Sequence, residues 1–497
     1  MRLRVFALFV LLIAAGCRTP QPARQKEPQR IAAVLPYQPA GQPDTEEGAL
    51  ERAGFQPGAV GFALIDAHTG EVLAEREAHK GFMPGSVGKL PTAIAALQTL
   101  PERFETSLFT AGELRDGELV GDLYLLGGGD PELSAAGLMD LAQRLRAAGV
   151  QRLRGRLFYD VRRFPAVDRI EGSQDDDAAY DPALSALALD QNRVAVRWLP
   201  APSGGVSAWS VPAGAAQFEL GDDGQPTHFA RRSGEGERWA LSPRLPPSGE
   251  ERLPVAHPAQ LAARTFAELA RFCGIALPAP AEGAVPEGAR RLAMHQSAPL
   301  LELVRTTLLS SSNPMAEMLL LAFARQQLGR APAGLREAAQ ALEDFWRDRL
   351  PKDVFDNLHL ENGSGLSPAT RLSPLQATGM LRHAARELPS FFTLLPASGL
   401  SGTLARRLRT PEVALRAWAK TGSMAYGNGL AGHLFSSAGR ELIFAILVAE
   451  PERRATAYAA RPRSPAETAA RDAAEDAWTA RSRGLQDDLV SLWIARY

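Results

Sequence analysis

This chain of 497 residues is poor in cysteine and lysine and carries almost no net charge. Its two cysteines are Cys17 and Cys273. Once the first lies at a processed N-terminus, a single thiol cannot close an internal disulfide, so the fold must be held by its core. The formal net charge of −1, from 55 basic and 56 acidic residues, gives no electrostatic reason to expect a nucleic-acid partner. No run of apolar residues is long enough to cross a bilayer: residues 5–15 make an uninterrupted stretch of eleven, where a spanning helix needs about 20. The eight histidines show no metal-ligand spacing, and neither a metal nor a cofactor is implied.

The scarcity of lysine is the most informative of these deficits. Of the 55 cations only Lys26, Lys80, Lys89, Lys352 and Lys420 are lysines. Arginine stays protonated in proteins, whereas a desolvated lysine can fall to a pKa near neutrality and accept a proton. Lys89 follows Ser86 by three positions in Gly85-Ser86-Val87-Gly88-Lys89. A serine one helical turn from a potentially neutral amine is a nucleophile beside its base, which points to acyl transfer. Lys80 reads as an exposed loop residue.

Arg2 and Arg4, the apolar stretch, and Ala14-Ala15-Gly16-Cys17 have the order of an export signal. The last four residues resemble a bacterial lipoprotein cleavage site, although Ala14 stands where leucine is usual, with Cys17 as the lipid attachment. A plain signal peptide with an incidental cysteine is the alternative. Residues 18–45, rich in Pro, Gln and Arg at their start, read as a tether. Residues 46–99 and 256–497 read as one discontinuous catalytic domain, and residues 100–255, with short strands and many glycines and prolines, as a β-rich insertion.

Within this frame, residues 60–66 and 71–76 flank His68-Thr69-Gly70 and predict a hairpin. Strands are expected at 118–126, 193–199, 430–435 and 441–449, and helices at 92–100, 259–273, 299–328, 335–350 and 469–497. Cys273 is expected in a helix core, Gly127-Gly128-Gly129 as a tight turn, and Asp175-Asp176-Asp177 as a solvated acidic loop.

Two further motifs accompany the Ser86–Lys89 pair. Ser311-Ser312-Asn313 lies at the centre of one predicted helical stretch, and Lys420-Thr421-Gly422-Ser423 precedes the last two strands. Each alone is an ordinary helix start, polar turn or strand end. In this order they are the triple of penicillin-recognising serine enzymes. The chain resembles the D-alanyl-D-alanine carboxypeptidase/endopeptidase family of low-molecular-mass class C penicillin-binding proteins. Residues 121–133, the segment Asn362-Gly363-Ser364-Gly365-Leu366-Ser367, and residues 398–404 also resemble that family's glycine- and serine-rich stretches. The 225 positions from Ser86 to Ser311 leave room for its inserted domains. Asn362 and Pro368 depart from its usual Asp and Arg.

The resemblance implies an α+β fold of the penicillin-binding/β-lactamase-like transpeptidase type, an antiparallel sheet flanked by helices with an all-α lobe. It implies Ser86 as nucleophile, Lys89 as base kept neutral by burial and by the field of Lys420, Ser311 as proton relay, and Asn313 as the amide that bonds the substrate backbone and helps orient Lys89. Lys420, Thr421, Gly422 and Ser423 would bind the substrate carboxylate, with the Ser86 and Ser423 N–H groups as oxyanion hole. The implied partners are peptidoglycan peptides, β-lactams as covalent inhibitors, and a membrane reached through the lipid, in an exported, periplasmic protein. The alternatives are a β-lactamase or esterase on the same scaffold, or a catalytically inactive wall-binding lipoprotein.

Overall fold

The computed structural model describes residues 43–171, 178–202, 205–221, 229–232, 236–459 and 464–497. The signal, Cys17, most of the tether, Lys26 and the Asp175–Asp177 loop lie outside these residues. No helix among the described residues is long and apolar enough to cross a membrane.

A five-stranded, fully antiparallel sheet organises the catalytic part. Its spatial order is Ala417–Met424, Gly427–Phe435, Glu441–Ala449, Val60–Asp66, Val72–Arg76, so the two ends of the chain build one sheet. The expected hairpin and both late strands are present. The Glu441–Ala449 strand is apolar from Leu442 onward because both its faces are covered there. Ile443, Ala445, Leu447 and Ala449 face a helical lobe, while Leu442, Phe444, Ile446 and Val448 face the C-terminal helix Pro465–Arg496. Trp493 of that helix packs edge-on against Phe62 with ring centroids 5.7 Å apart.

The helical lobe holds Lys89–Thr99, Leu300–Ser310, Asn313–Leu328, Leu335–Arg347 and Pro374–Glu387. The single helical stretch expected over 299–328 is broken in two. Ser311 adopts a left-handed conformation (φ 57°), Ser312 caps the next helix by accepting from the Met315 N–H, and Pro314 occupies its first turn. A proline there would clash with the carbonyl four residues back if the first helix continued, while it suits the start of a new one. The break leaves Ser311 and Ser312 between the two helices, with Asn313 opening the second.

The insertion leaves after the Lys89–Thr99 helix and has its own core. Its extent differs from the expected one. Strands Pro280–Glu282 and Arg290–Gln296 pair with Leu157–Asp160 and Glu105–Thr110, and helix Pro258–Phe272 buries Leu261, Phe266 and Ala270 in the insertion's core. In packing terms the chain returns to the catalytic part after Gln296, not at 255. Helical periodicity marks an amphipathic helix but does not say whose core receives it.

Three smaller expectations change. The 118–126 strand is interrupted at Gly121-Asp122. The three glycines at 127–129 form no turn: a Cβ on Gly128 would lie 1.9 Å from the Glu105 carbonyl, so they allow two backbones to touch. Cys273 ends its helix half-buried, 3.6 Å from the Met139 sulfur.

Candidate active site

Ser86 sits in a 3₁₀ turn, Gly85–Gly88, that runs directly into the Lys89–Thr99 helix. In 3₁₀ geometry residues i and i+3 eclipse, so the hydroxyl of Ser86 and the amine of Lys89 are stacked. Gly85 makes the turn possible. Its φ is +51°, and a Cβ there would lie 2.9 Å from the Ser423 nitrogen. Val87, Leu90 and Ile94 are fully buried in the lobe's core beside Leu319 and Leu320, which fixes the helix start that carries the pair.

Lys89 is fully buried, and its Nζ has three oxygen neighbours: Ser86 Oγ at 2.8 Å, Asn313 Oδ1 at 2.6 Å and Ser364 O at 3.0 Å. The Asn313 amide is oriented by its other end, since Nδ2 donates to the Tyr180 carbonyl at 3.0 Å. Asn313 Oδ1 and Ser364 O can only accept. A neutral amine has two N–H groups and one lone pair. With the two N–H groups taken by these acceptors, the lone pair is left for the Ser86 hydroxyl.

Burial pulls the Lys89 pKa from 10.5 down to about 7, against the opposing charge of Glu317. Repulsion between two charged lysines is reciprocal, so the expected contribution of Lys420 acts in the same direction. Lys420, also fully buried, is itself held well below its ordinary value, first by burial and then by Lys89. Desolvation is thus the largest influence on the proton affinity of Lys89.

Lys420 lies on the Ala417–Met424 strand, at the edge of the sheet. Its Nζ donates to Ser311 Oγ at 2.9 Å and to the Thr421 carbonyl at 2.6 Å. The left-handed Ser311 thus bridges the lobe to the sheet. On the outer side of this strand the Ala419 N–H donates to the Pro396 carbonyl and the Ala417 carbonyl accepts from Ser398 N–H. Backbone groups alternate along a strand, so Thr421 and Ser423 present theirs on that same open side, facing the cleft. The strand pairs in unbroken register through Met424.

Ser86, Ser311, Thr403, Thr421, Ser423 and Arg483 line one cavity of about 520 Å³, so the three sequence motifs meet there. Thr421 Oγ1 bonds Thr403 Oγ1 at 2.7 Å. Gly422 makes the approach of strand to the Ser86 turn possible, since its Cβ position is 3.0 Å from both the Ser86 and Val87 nitrogens. Asn362 accepts from the Gly365 N–H at 2.9 Å, a bond that needs only an acceptor and so suits Asn as well as Asp.

Sequence reading missed four contributors. Arg483, on the C-terminal helix, donates to Ser423 Oγ at 3.3 Å. Gln191 of the insertion accepts from Ser312 Oγ at 2.8 Å, and Tyr180 supplies the carbonyl that orients Asn313. No local pattern announces these long-range contacts. Glu317 is different: it follows Asn313 by four residues on one helix face, which a helical reading could have flagged.

The sequence model of the D-Ala-D-Ala carboxypeptidase 3 (S13) family matches residues 47–464. The chain belongs to this S13 family. The D-alanyl-D-alanine carboxypeptidase of Actinomadura sp. (strain R39) is 30% identical over 439 residues, covering 81% of this chain and 79% of the relative. The D-alanyl-D-alanine carboxypeptidase DacB of Haemophilus influenzae is 26% identical over 416 residues, covering 78% and 84%. In fold, the S13 chain is similar to the crystal structure of penicillin binding protein 4 (dacB) from Haemophilus influenzae. The TM-score is 0.71 at 22% identity, over 87% of this chain and 99% of that one. The α+β penicillin-binding architecture is therefore the fold of this protein.

Proposed function

We propose that the protein is an exported serine D-Ala-D-Ala carboxypeptidase/DD-endopeptidase acting on peptidoglycan peptides and acylated by β-lactams. The observation that carries this reading is the buried, acceptor-saturated amine of Lys89 at 2.8 Å from Ser86 Oγ.

Ser86 Oγ attacks the carbonyl of the penultimate D-alanine as its proton passes to Lys89. The oxyanion forms between the N–H groups of Ser86 and Ser423, an interaction typically worth about 2.7–4 kcal/mol per donor. Collapse breaks the C–N bond. The leaving amine takes the proton that Lys89 accepted, relayed through Ser311, which is hydrogen-bonded to Lys420; Lys89 is neutral again as D-alanine departs and leaves an ester on Ser86. Water then attacks the ester, Lys89 takes the water's proton and passes it to Ser86 Oγ as the acyl C–O bond breaks, and the carboxylate product leaves the free enzyme. The substrate peptide extends along the open edge of the Ala417–Met424 strand as an added strand.

Thr421, Ser423 and Arg483 form the cradle for the terminal carboxylate, whose arrival also favours the charged form of Lys420. A charge-assisted hydrogen bond contributes about 1.5–3 kcal/mol. Arg483→Gln is expected to raise KM about tenfold for peptides ending in a free carboxylate, with kcat little changed, and to leave amide-terminated peptides unaffected. Equal losses on both peptide types would remove Arg483 from the cradle. The chain is read as anchored by a lipid on Cys17 after cleavage of residues 1–16, which mass spectrometry of the mature N-terminus would test.

The decisive experiment is labelling with a fluorescent penicillin, paired with D-alanine release from an acyl-D-Ala-D-Ala peptide. Wild type is expected to do both, and Ser86→Ala neither. A label that persists in Ser86→Ala would end this reading.

A further inference from the structure

We propose that Glu317 is a positioning residue for the reaction: it clamps the 362–365 segment against the nucleophile helix and supplies a negative charge facing Lys89. The inference rests on Lys89 being the base, and it deepens that reading.

Glu317 is fully buried, an unusual place for a carboxylate. Its two oxygens accept from consecutive backbone donors, the Gly363 N–H and the Ser364 N–H, each at 2.8 Å. Both oxygens of an ionised carboxylate are acceptors, so the charged form matches this pair of donors best. The carbonyls of the same two residues turn the other way. Gly363 O accepts from Thr92 Oγ1 at 2.9 Å, and Ser364 O is one of the two acceptors that orient the Lys89 amine. The segment is thus gripped on its N–H side by the Asn313–Leu328 helix and on its C=O side by the Lys89–Thr99 helix. Gly363 has no room to move inward, since a Cβ there would lie 2.8 Å from Leu320 Cβ.

The charges around the clamp are few. Lys89 faces Glu317 from the nucleophile helix, and Lys420 faces Lys89 from the sheet edge. Glu343, on the neighbouring Leu335–Arg347 helix, is taken up by Arg336 and the Leu360 N–H. Burial raises the Glu317 pKa above its ordinary value, while the Ser364 hydroxyl, the two backbone donors and Lys89 pull it back toward the charged form. In the other direction, Glu317 raises the Lys89 pKa against burial. Two functions therefore meet in one side chain, and they respond differently to substitution. Loss of the clamp slows acylation at every pH. Loss of the charge makes Lys89 easier to deprotonate, so the base form persists to lower pH.

The test is the pH dependence of the second-order rate of acylation by a fluorescent penicillin. In wild type the rate is expected to fall as pH drops below about 7, as Lys89 becomes protonated. Glu317→Gln offers one acceptor and an amide that opposes the second N–H. Its plateau is expected to fall roughly 10- to 100-fold, with the acid limb displaced downward by about one pH unit, in line with loss of a nearby opposite charge. Thr92→Val loosens the same segment without touching charge, and should lower the plateau with the limb unmoved. Glu317→Asp, the variant to use if the glutamine form does not fold, keeps the charge and should likewise lose plateau but not limb. A wild-type limb in Glu317→Gln, or the same displacement in Thr92→Val or Glu317→Asp, overturns the proposal. Lys89→Arg in the same assay separates the two readings. If it still acylates, the base assignment falls and this inference with it; if it is silent, a wild-type limb in Glu317→Gln removes Glu317 alone.

Discussion

Lys89→Arg is expected to leave no penicillin adduct. The substitution keeps the positive charge and most of the stem, so a purely electrostatic role for Lys89 would survive it. A base would not, because a guanidinium does not shed its proton at any working pH. General-base assistance is worth about 10²–10⁴ in rate, and the loss should reach at least the upper part of that range. Arginine also brings five donors to a fully buried site whose acceptors are Ser86 Oγ, Asn313 Oδ1 and Ser364 O. A permanent charge there loses solvation that lysine avoids by becoming neutral. Acylation is measured by label incorporation over time, beside a thermal melt. A folded variant that labels at near-normal rate would mean that another group takes the serine proton.

Gly422→Ala should be nearly as damaging, for a reason of shape alone. The added methyl would lie 2.1 Å from the Pro84 carbonyl and 3.0 Å from the Ser86 nitrogen. All the nearby atoms are backbone, so relief requires the sheet edge and the nucleophile turn to separate. That separation pulls apart Ser86 N–H and Ser423 N–H, the two donors assigned to the oxyanion. A displacement of about 1 Å can cost 10²-fold in rate, and overpacking typically costs about 1–3 kcal/mol of stability. Gly334→Ala is the control, since a Cβ there meets nothing within 4 Å. If Gly422→Ala acylates like wild type while Gly334→Ala behaves as expected, the close contact between strand and turn is not needed for the chemistry.

The two cases differ in how far they could be foreseen. Lys89 was legible because its chemistry is written within four consecutive positions and sharpened by the scarcity of lysine elsewhere. The importance of Gly422 as a spacer was not, because what it makes room for is Pro84, more than 300 positions away. The same contrast runs through the fold. Alternation of faces and terminal turns are local, so the hairpin at 60–76 and the strands Gly427–Phe435 and Glu441–Ala449 could be read directly. The break at Ser311 had local signals too, a capping serine and Pro314 in the first turn, but helical periodicity on both sides overrode them.

Residue order alone therefore marked the Ser86–Lys89 pair and the three motifs, since each depends on spacing within a helix turn or along a strand, and through the motifs it pointed to a family whose sheet is antiparallel. Tertiary structure decided the rest. It assigned Pro258–Phe272 and the strands after it to the insertion, because which core receives an apolar face depends on what packs against it. It brought Arg483 from the C-terminal helix to Ser423, and Tyr180 from the insertion to Asn313. It also set the proton affinity of Lys89, because desolvation belongs to the assembled interior and not to any stretch of chain.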